Sequence, residues 1–338
     1  MRIITCAGFF ATGSSAVTDY FSEFDNVSSL GRYEYRFVQD PDGVADLEYN
    51  IVENNHRHNT TYAIKRYLKL IKSYKSFGYG GSYDMYGKEF DALTKKYIDD
   101  ISELQTKTWW HRDRVDKGEL FCVVDRGYSL AKRVLTHGLH NEKKYSLLTN
   151  REDAYYSAIS EEQFLESTRN YTEAVVASAN TGGGDFVMVD QLVPATNLNR
   201  YIRYFNDIKV VVVERDPRDV YLWERTRIHW GVIPTENVEE YVKWYEITRR
   251  YSHPTDDDLE RVLRIQFEDI IYNYDETTKK LREFVGLSED MHKHPLSKLV
   301  PERSKLNTNL KTRVSGFEKE IAYIEEHLQP YLYNFPED

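Results

Sequence analysis

The chain has 338 residues, of which 41% are hydrophobic and 30% are charged, and this composition excludes collagen-like, low-complexity and wholly disordered proteins. Its 55 acidic side chains outnumber its 45 Lys and Arg, which gives a net charge of −10 and argues against nucleic acid as a partner. Cys6 and Cys122 are its two cysteines, so a disulfide framework is excluded and a cytoplasmic location is favoured.

Predicted strands and helices alternate along the chain. The predicted strands are residues 2–7, 120–125, 186–190, 209–214 and 262–267. The stretches predicted to be helical after them are residues 14–24, 128–139, 198–205, 217–226 and 276–285. Four consecutive valines at 210–213 favour a strand that is covered on both faces. This alternation predicts an α/β fold with a doubly wound parallel sheet, and no apolar run is long enough for a membrane-spanning helix.

No internal repeat or linker divides the chain, so we expect a single domain over residues 1–338. Residues 48–118 indicate a mostly helical insertion with a high density of polar side chains. The sequence GYGG at 78–81 interrupts this insertion and is predicted to form a mobile loop. Residues 301–338 form a C-terminal segment with several basic side chains.

A glycine-containing loop joins the first strand to the first helix. Its sequence from Gly8 to Ser15, GFFATGSS, has the spacing of a phosphate-binding loop but carries Ser14 in place of the lysine. The backbone N–H groups from Gly13 to Ala16 and the hydroxyl groups of both serines would face an anion. Because the missing lysine reaches the β- and γ-phosphates of a nucleoside triphosphate, its absence disfavours ATP or GTP cleavage. The alternative is an ordinary turn in which Ser14 caps the helix.

A second candidate anion site follows the valine-rich strand, in the sequence ERDPRD at 214–219. Asp216 is predicted to cap the next helix, with Asp219 completing an acidic capping box. Arg215 stands at the carboxyl end of a central strand, where α/β sheets bind their ligands, and Arg215 and Arg218 both have planar groups suited to phosphate oxygens. The alternative is that the two arginines only pair with Asp216 and Asp219.

Three sequence blocks in this order resemble the sulfotransferases that use 3′-phosphoadenosine 5′-phosphosulfate (PAPS). The blocks are FFATGSSAV at 9–17, VVVVERDPRDVYL at 210–222 and RVLRIQFEDIIYNYDETTKKLREFVGL at 261–287. A weaker similarity is PERSKLNTNLK at 301–311. The resemblance implies the P-loop NTPase-like fold of the sulfotransferase type with helical insertions, in a bacterial carbohydrate-type member. It also implies that residues 301–338 close over the nucleotide.

The resemblance implies a nucleotide site built from the first two blocks and the C-terminal segment. The implied cofactor-binding residues are Thr12, Gly13, Ser14, Ser15, Ala16, Arg215, Arg218, Asp219, Arg303 and Lys305. Residues 13–15 would bind the 5′-phosphosulfate, and Arg215 would bind the 3′-phosphate. Ala11 departs from the family pattern because many members carry Lys or Arg there, and Trp223 stands where the 3′-phosphate serine is expected. The candidates for a replacement cation are Arg36, Arg126 and Lys305.

The resemblance implies in-line transfer of a sulfuryl group to an acceptor hydroxyl, which needs a general base. Sulfotransferases commonly place this base near the end of the strand at 186–190, where Asp190 is the nearest ionisable residue. A capping role for Asp190 is the alternative. His56 and His58, in NNHRHN, form the other candidate for the base or the acceptor site, with a solvated loop as the alternative. We predict no metal site, because this pair lacks further ligands nearby.

The predicted function is therefore transfer of a sulfuryl group from PAPS to a hydroxyl acceptor, with 3′-phosphoadenosine 5′-phosphate (PAP) as the product. A carbohydrate acceptor, such as a cell-surface polysaccharide, is suggested by the resemblance to bacterial polysaccharide-modifying members and by the 14% aromatic content. A small alcohol or phenol stays open. The alternatives are a P-loop kinase-like phosphotransferase, which would need the loop lysine, and a non-catalytic nucleotide-binding protein, which Ala11 and Trp223 favour. The sequence does not indicate an oligomeric state.

Overall fold

A five-stranded parallel sheet forms the centre of the protein. The computed structural model describes residues 1–75, 86–135 and 151–336. The strands are β1 (Arg2–Gly8), β2 (Val27–Glu34), β3 (Leu104–Thr108), β4 (Glu152–Tyr156), β5 (Phe186–Asp190), β6 (Ile208–Glu214) and β7 (Val262–Gln266). The sheet has the order β2-β5-β1-β6-β7 with every neighbouring pair parallel, and β3 and β4 form a separate antiparallel ribbon.

The helices surround this sheet. They are α1 (Ser15–Phe21), α2 (Val44–Glu48), α3 (Asn59–Tyr74), α4 (Phe90–Asp100), α5 (His111–Asp116), α6 (Glu119–Leu135), α7 (Glu161–Ala179), α8 (Leu198–Tyr201), α9 (Pro217–Trp223), α10 (Val238–Arg249), α11 (Asp269–Tyr272), α12 (Tyr274–Val285), α13 (Pro301–Ser304) and α14 (Glu318–His327). A π-helical turn, Glu224–Ile228, follows α9 directly. Within the described ranges, no helix combines the length and the apolar character that a bilayer crossing requires.

The valine run of β6 shows why both faces of the sheet are covered. Val210 and Val212 pack into one core together with side chains of α3 and α7. Val211 and Val213 pack into a second core with side chains of α1 and α12. Because successive side chains of a strand point to opposite faces, an unbroken apolar run requires a helix layer on each side. The predicted α/β fold with a doubly wound parallel sheet is confirmed.

The strand predicted at residues 120–125 is wrong, since these residues belong to α6. Their apolar side chains recur at helical spacing, and a short apolar run does not by itself distinguish a strand from a helix. Buried Asp125 faces the protein while Val123 and Val124 are exposed, which a strand of the central sheet would not allow. Arg126 therefore follows no strand end.

Two further strands differ from the sequence-based predictions. β2 is an edge strand with the sequence VSSLGRYE, which lacks apolar alternation, and its register against β5 shifts between Ser29 and Glu34. Edge strands tolerate such polar sequences because one side is not paired. β3 lies inside the stretch 48–118 that was predicted to be mostly helical. Its partner β4 comes much later in the chain, so a local pattern does not reveal the pairing.

The C-terminal segment packs against α9 and α10 in a third core. Val220 and Leu222 of α9 contact this core together with Ile321 and Ile324 of α14, and all four side chains are buried. Helix α14 lies in the middle of this segment. The predicted loop at 78–81 lies outside the described residues, as do residues 136–139 of the helix predicted after residue 128. The single-domain prediction over residues 1–338 stays a prediction.

Candidate functional site

A cavity of about 440 Å³ opens at the carboxyl edge of the sheet. Its lining comes from the segments that follow β1, β2, β5, β6 and β7, which are brought together because parallel strands end at the same edge. The lining residues are Gly8, Phe10, Ala11, Thr12, Gly13, Ser14, Ser15, Ala16, Asp19, Glu34, Arg36, Asp190, Gln191, Arg215, Trp223, Glu224, Trp230, Phe267, Leu299, Ser304 and Asn307. The predicted residues Thr12 to Ala16, Asp190 and Arg215 are thus on one cavity wall.

The glycine loop after β1 has a strained backbone. Phe10 and Ala11 have φ angles of 81° and 55°, in the left-handed region that residues other than glycine rarely adopt. Gly13 has a φ of +82°, and a Cβ atom there would lie 2.4 Å from the Phe267 ring. Glycine is therefore required at position 13 both by the backbone conformation and by the close approach of the ring.

Some of the polar groups of the glycine loop already have hydrogen-bond partners within the protein. The Ala16 N–H donates to the Gly13 carbonyl at 3.0 Å, so it is engaged within the turn and does not face an anion as predicted. The Ser14 side chain makes no capping bond to the helix and instead accepts from the Gln191 side chain at 2.9 Å. Ser14 is therefore not an ordinary N-cap, which was the alternative to anion binding.

Thr12 carries a polar atom without a protein partner. Its side chain is 2% exposed, and its Oγ1 has no hydrogen-bond partner among the described residues. A buried hydroxyl without a partner costs free energy, on the order of 1–3 kcal/mol. Because Thr12 lines the cavity, a bound ligand is one way to satisfy this group.

Arg215 connects three parts of the site. Its guanidinium donates to the Ala11 carbonyl at 2.7 Å and to the Asn307 carbonyl at 2.5 Å. It also lies between the rings of Trp223 and Phe267, at 5.5 and 5.2 Å from their centroids. Its Nε atom is buried without a hydrogen-bond partner among the described residues. The cation therefore holds the glycine loop and the C-terminal segment together, while its Nε donor has no partner among the described residues.

Two buried carboxyl groups stand behind Arg215. Glu268 accepts from the Asp216 N–H at 3.0 Å, and burial raises the pKa of Glu268 to about 8. Burial also raises the pKa of Asp219 to about 6, although the Arg215 charge opposes this shift. Burial lowers the pKa of the Arg215 guanidinium, which the neighbouring carboxylates partly offset. A cation held among these groups is a focused positive charge in a region of low dielectric constant.

Arg218 and Asp219 serve the C-terminal segment. The Arg218 guanidinium donates to both carboxylate oxygens of Asp216 and to Glu325 of α14. Arg218 therefore pairs with Asp216, which was the alternative to phosphate binding. Asp219 accepts from the N–H groups of Asn309 and Leu310, each at 2.8 Å, and does not complete the predicted capping box. Neither residue lines the cavity.

The remaining predicted residues of the C-terminal segment lie at the margin of the site. Arg303 is exposed, and the Lys305 ammonium lies 5.7 Å from the centroid of the Tyr272 ring. Neither lines the cavity, whereas their neighbours Ser304 and Asn307 do.

Asp190 ends β5 at the cavity wall and is 5% exposed. The Cys6 thiol of β1 donates to its Oδ1 at 2.8 Å. Burial raises the pKa of the Cys6 thiol well above its ordinary value, so the thiol keeps the proton that it donates. Asp190 is therefore held in place by a neutral neighbour on the adjacent strand.

His56 and His58 lie apart from the cavity lining. The His58 ring stacks on Trp110 with the centroids 3.8 Å apart, and the Arg57 Nε donates to the His58 Nε2 at 3.0 Å. In the described part of the chain, no cluster of His, Cys, Asp and Glu side chains could hold a metal ion.

Sequence reasoning missed several residues of the cavity wall. Glu34 was missed because the edge strand β2 was not predicted, whereas Arg36 was named as a candidate cation and does line the cavity. The Arg36 guanidinium pairs with Asp40 at 2.6 Å and with Glu34 at 3.3 Å. Trp230 comes from a turn after the π-helical segment, and its place in the cavity depends on how that turn packs.

The fold and this cavity define an α/β protein with a candidate ligand site at the carboxyl edge of a parallel sheet. The model of a family described as "Sulfotransferase family" matches residues 116–291, just over half of the chain. The chain therefore belongs to the sulfotransferase family. The matched range contains Asp190 and Arg215 but not the glycine loop. No curated protein sequence matches the chain.

Three solved structures are similar to the chain. Mouse sulfotransferase SULT7A1, complexed with PAP, has 13% identity and a TM-score of 0.24 over 40% of this chain and 50% of its own, so the chain spans half of that protein's length. Sulfotransferase STF1 from Mycobacterium tuberculosis H37Rv has 11% identity and a TM-score of 0.31, over 91% of this chain and 76% of its own. Sulfotransferase STF9 from Mycobacterium avium has 10% identity and a TM-score of 0.34, over 98% of this chain and 76% of its own. The match over residues 116–291 carries the family assignment.

Proposed function

We propose that the protein transfers a sulfuryl group from PAPS to a hydroxyl acceptor in the cavity at the carboxyl edge of the sheet. The observation that carries this proposal is the buried Arg215 guanidinium beside the glycine loop. Its Nε and the Thr12 Oγ1 are polar atoms that have no hydrogen-bond partner among the described residues. A phosphorylated nucleotide provides the acceptor oxygens that such donors require.

The residues present fit PAPS. Gly13 lines the cavity, and Ser14 and Ser15 add hydroxyl groups at the cavity wall. Arg215 would hold the 3′-phosphate through the charge of its guanidinium and a hydrogen bond from Nε, the donor that has no partner among the described residues. The SULT7A1 structure contains PAP, which has the same 3′-phosphate. When bound, PAPS supplies the sulfuryl group and leaves as PAP.

The two residues that depart from the family pattern, Ala11 and Trp223, both contact Arg215. Ala11, where a cation is common, turns its carbonyl to the Arg215 guanidinium. Trp223, where a serine is expected, stacks on the same guanidinium. Both residues therefore position Arg215, and Arg36 adds a second cation to the cavity wall.

Asp190 is the side chain that we assign as the general base. Its carboxylate would take the proton of the acceptor hydroxyl, which makes the oxygen a better nucleophile. The hydrogen bond from the Cys6 thiol fixes one oxygen of this carboxylate at the cavity wall. Glu34 also lines the cavity, as do Asp19 and Glu224, and the Glu34 side chain is about half exposed.

We propose a saccharide as the acceptor. Trp230 and Phe10 line the cavity with 69% and 43% of their surface exposed. Exposed aromatic rings at a cavity rim are suited to stack against the apolar faces of sugar rings, while carboxylates and arginines bind the hydroxyl groups.

The experiment that tests the function is a turnover assay that follows PAP release from PAPS with a panel of oligosaccharides and phenols. We expect Asp190→Asn to lower kcat by about 10²–10⁴-fold and to leave the affinity for PAP unchanged. Glu34→Gln is the matched control and should keep most of the activity. Trp230→Ala should raise KM for a saccharide more than for a phenol.

Three outcomes would contradict this assignment. Phosphoryl transfer from ATP without any response to PAPS would favour the kinase alternative. PAP binding without turnover on any acceptor would favour a non-catalytic protein. Full activity in Asp190→Asn would remove this carboxylate from the mechanism.

A further inference from the structure

Helix α6 presents an apolar surface that the described part of the protein does not cover. The side chains of this surface, which we name the α6 stripe, are Leu120, Val123, Val124, Leu130, Val134 and Leu135. Their exposed fractions run from 52% for Val124 to 79% for Leu120 and Leu135. A contiguous apolar patch on a protein surface marks a site of interaction with a protein or a membrane.

The α6 stripe points away from the protein. An α-helix turns by about 100° per residue, which places the six side chains on one half of its circumference. The other half faces the protein through Phe121, Asp125 and Ser129, which are partly or completely buried. Asp125 is 1% exposed and pairs with Arg114 at 3.5 Å. The attachment of the helix and its apolar side are therefore on opposite faces.

Basic side chains border the α6 stripe on both sides. By the same helical geometry, Arg126 and Arg133 lie along one border and Lys132 along the other, and all three are exposed. Glu119 is the one exposed acid of α6, because Asp125 is buried. This excess of positive charge belongs to a chain whose net charge is −10. The charge of α6 thus differs in sign from that of the molecule.

We propose that α6 binds the surface of an anionic lipid bilayer, with the α6 stripe inserted among the lipid chains and the side chains of Arg126 and Arg133 at the headgroups. Interfacial helices combine an apolar face with Lys and Arg on its borders, and long basic side chains reach the headgroups while their stems stay in the apolar region. Each basic residue near such a surface adds an electrostatic attraction to anionic headgroups.

A second copy of the chain fits this pattern less well. A two-fold interface places the same patch on both subunits, so the basic borders of one α6 would face those of the other. An anionic lipid surface pairs with the same charges favourably. The proposal concerns a surface outside the cavity and does not depend on the proposed sulfuryl transfer.

The test is co-sedimentation of the full chain with vesicles of phosphatidylcholine alone and vesicles that also contain phosphatidylglycerol. We expect binding to the anionic vesicles that weakens as salt is raised, and little binding to phosphatidylcholine alone. Arg126→Gln with Arg133→Gln should weaken binding about 25-fold, at about fivefold for each charge. Arg250→Gln, at an exposed arginine after α10, is the matched control and should have no effect.

A second pair of variants tests the apolar contact. Leu130→Ser with Val134→Ser should reduce binding at least tenfold, whereas Leu259→Ser, at a leucine that is 79% exposed before β7, should not. Circular dichroism and thermal unfolding should be unchanged in all variants, because the altered side chains are exposed. Absence of binding, or binding that these α6 variants do not weaken, would overturn the proposal. A dimer in light scattering that Leu130→Ser with Val134→Ser dissociates would overturn it in favour of a second copy.

Discussion

Gly13→Ala tests the geometry of the glycine loop at a single atom. Position 13 has a φ of +82°, where an L-residue costs roughly 1–2 kcal/mol relative to glycine. The new Cβ would also lie 2.4 Å from the Phe267 ring, and forcing an extra methyl group into a packed region costs about 1–3 kcal/mol. We therefore expect Gly13→Ala to lower the free energy of unfolding by about 2–5 kcal/mol in urea titrations.

Gly183→Ala is the matched control for this prediction. Gly183 has a φ of +68°, and a Cβ there would meet nothing within 4 Å, so only the backbone contribution of about 1–2 kcal/mol is expected. A double-mutant cycle with Phe267→Leu should show a favourable coupling with Gly13→Ala, because the smaller side chain leaves space for the methyl group. Equal destabilisation by the two glycine variants, together with no coupling to Phe267, would refute the close approach of loop and ring.

Two further predictions follow from the buried ionisable groups. Because the pKa of Glu268 is raised to about 8, its contribution to stability is complete below its unfolded pKa and is lost as the pH rises through 8. The stability of the wild type relative to Glu268→Gln should thus fall by about 3 kcal/mol between about pH 6 and about pH 9 in denaturant titrations, and a constant difference would be inconsistent with the raised pKa. Burial also keeps the Cys6 thiol protonated, so a thiol reagent should modify half-buried Cys122 in the native protein and both cysteines after unfolding. Rapid modification of native Cys6 would show that β1 is more accessible than its burial indicates.

Much of the sheet could be predicted because its central strands are apolar throughout. The strands at 2–7, 186–190, 209–214 and 262–267 carry the runs that a doubly covered sheet requires, and the structure places β1, β5, β6 and β7 there. β2 was missed because an edge strand does not need such a run. The prediction of a strand at 120–125 was wrong because most of its apolar side chains lie on the exposed face of helix α6.

The candidate site was predictable where a residue stands at a strand end. Arg215 follows β6 and Asp190 ends β5, and both residues line the cavity. Pairing of Arg218 with Asp216 was the alternative that the local sequence offered, and it is present. The second partner of Arg218, Glu325, and the backbone partners of Asp219 near residue 309 were not predictable, because they lie far along the chain. Trp230 follows a π-helical turn whose path depends on packing, which the local sequence does not encode.

Calorimetric titration with PAP tests the central claim most directly. The wild type should bind PAP, and Arg215→Lys should weaken the Kd about a hundredfold, because lysine keeps the charge but loses the planar group and its charge-assisted hydrogen bonds. Arg249→Lys is the matched control, since Arg249 is equally buried and pairs with Glu214 but does not line the cavity, and it should change Kd by less than about threefold. No binding of PAP to the wild type, or equal Kd values for Arg215→Lys and the wild type, would contradict the assignment of Arg215 to the 3′-phosphate.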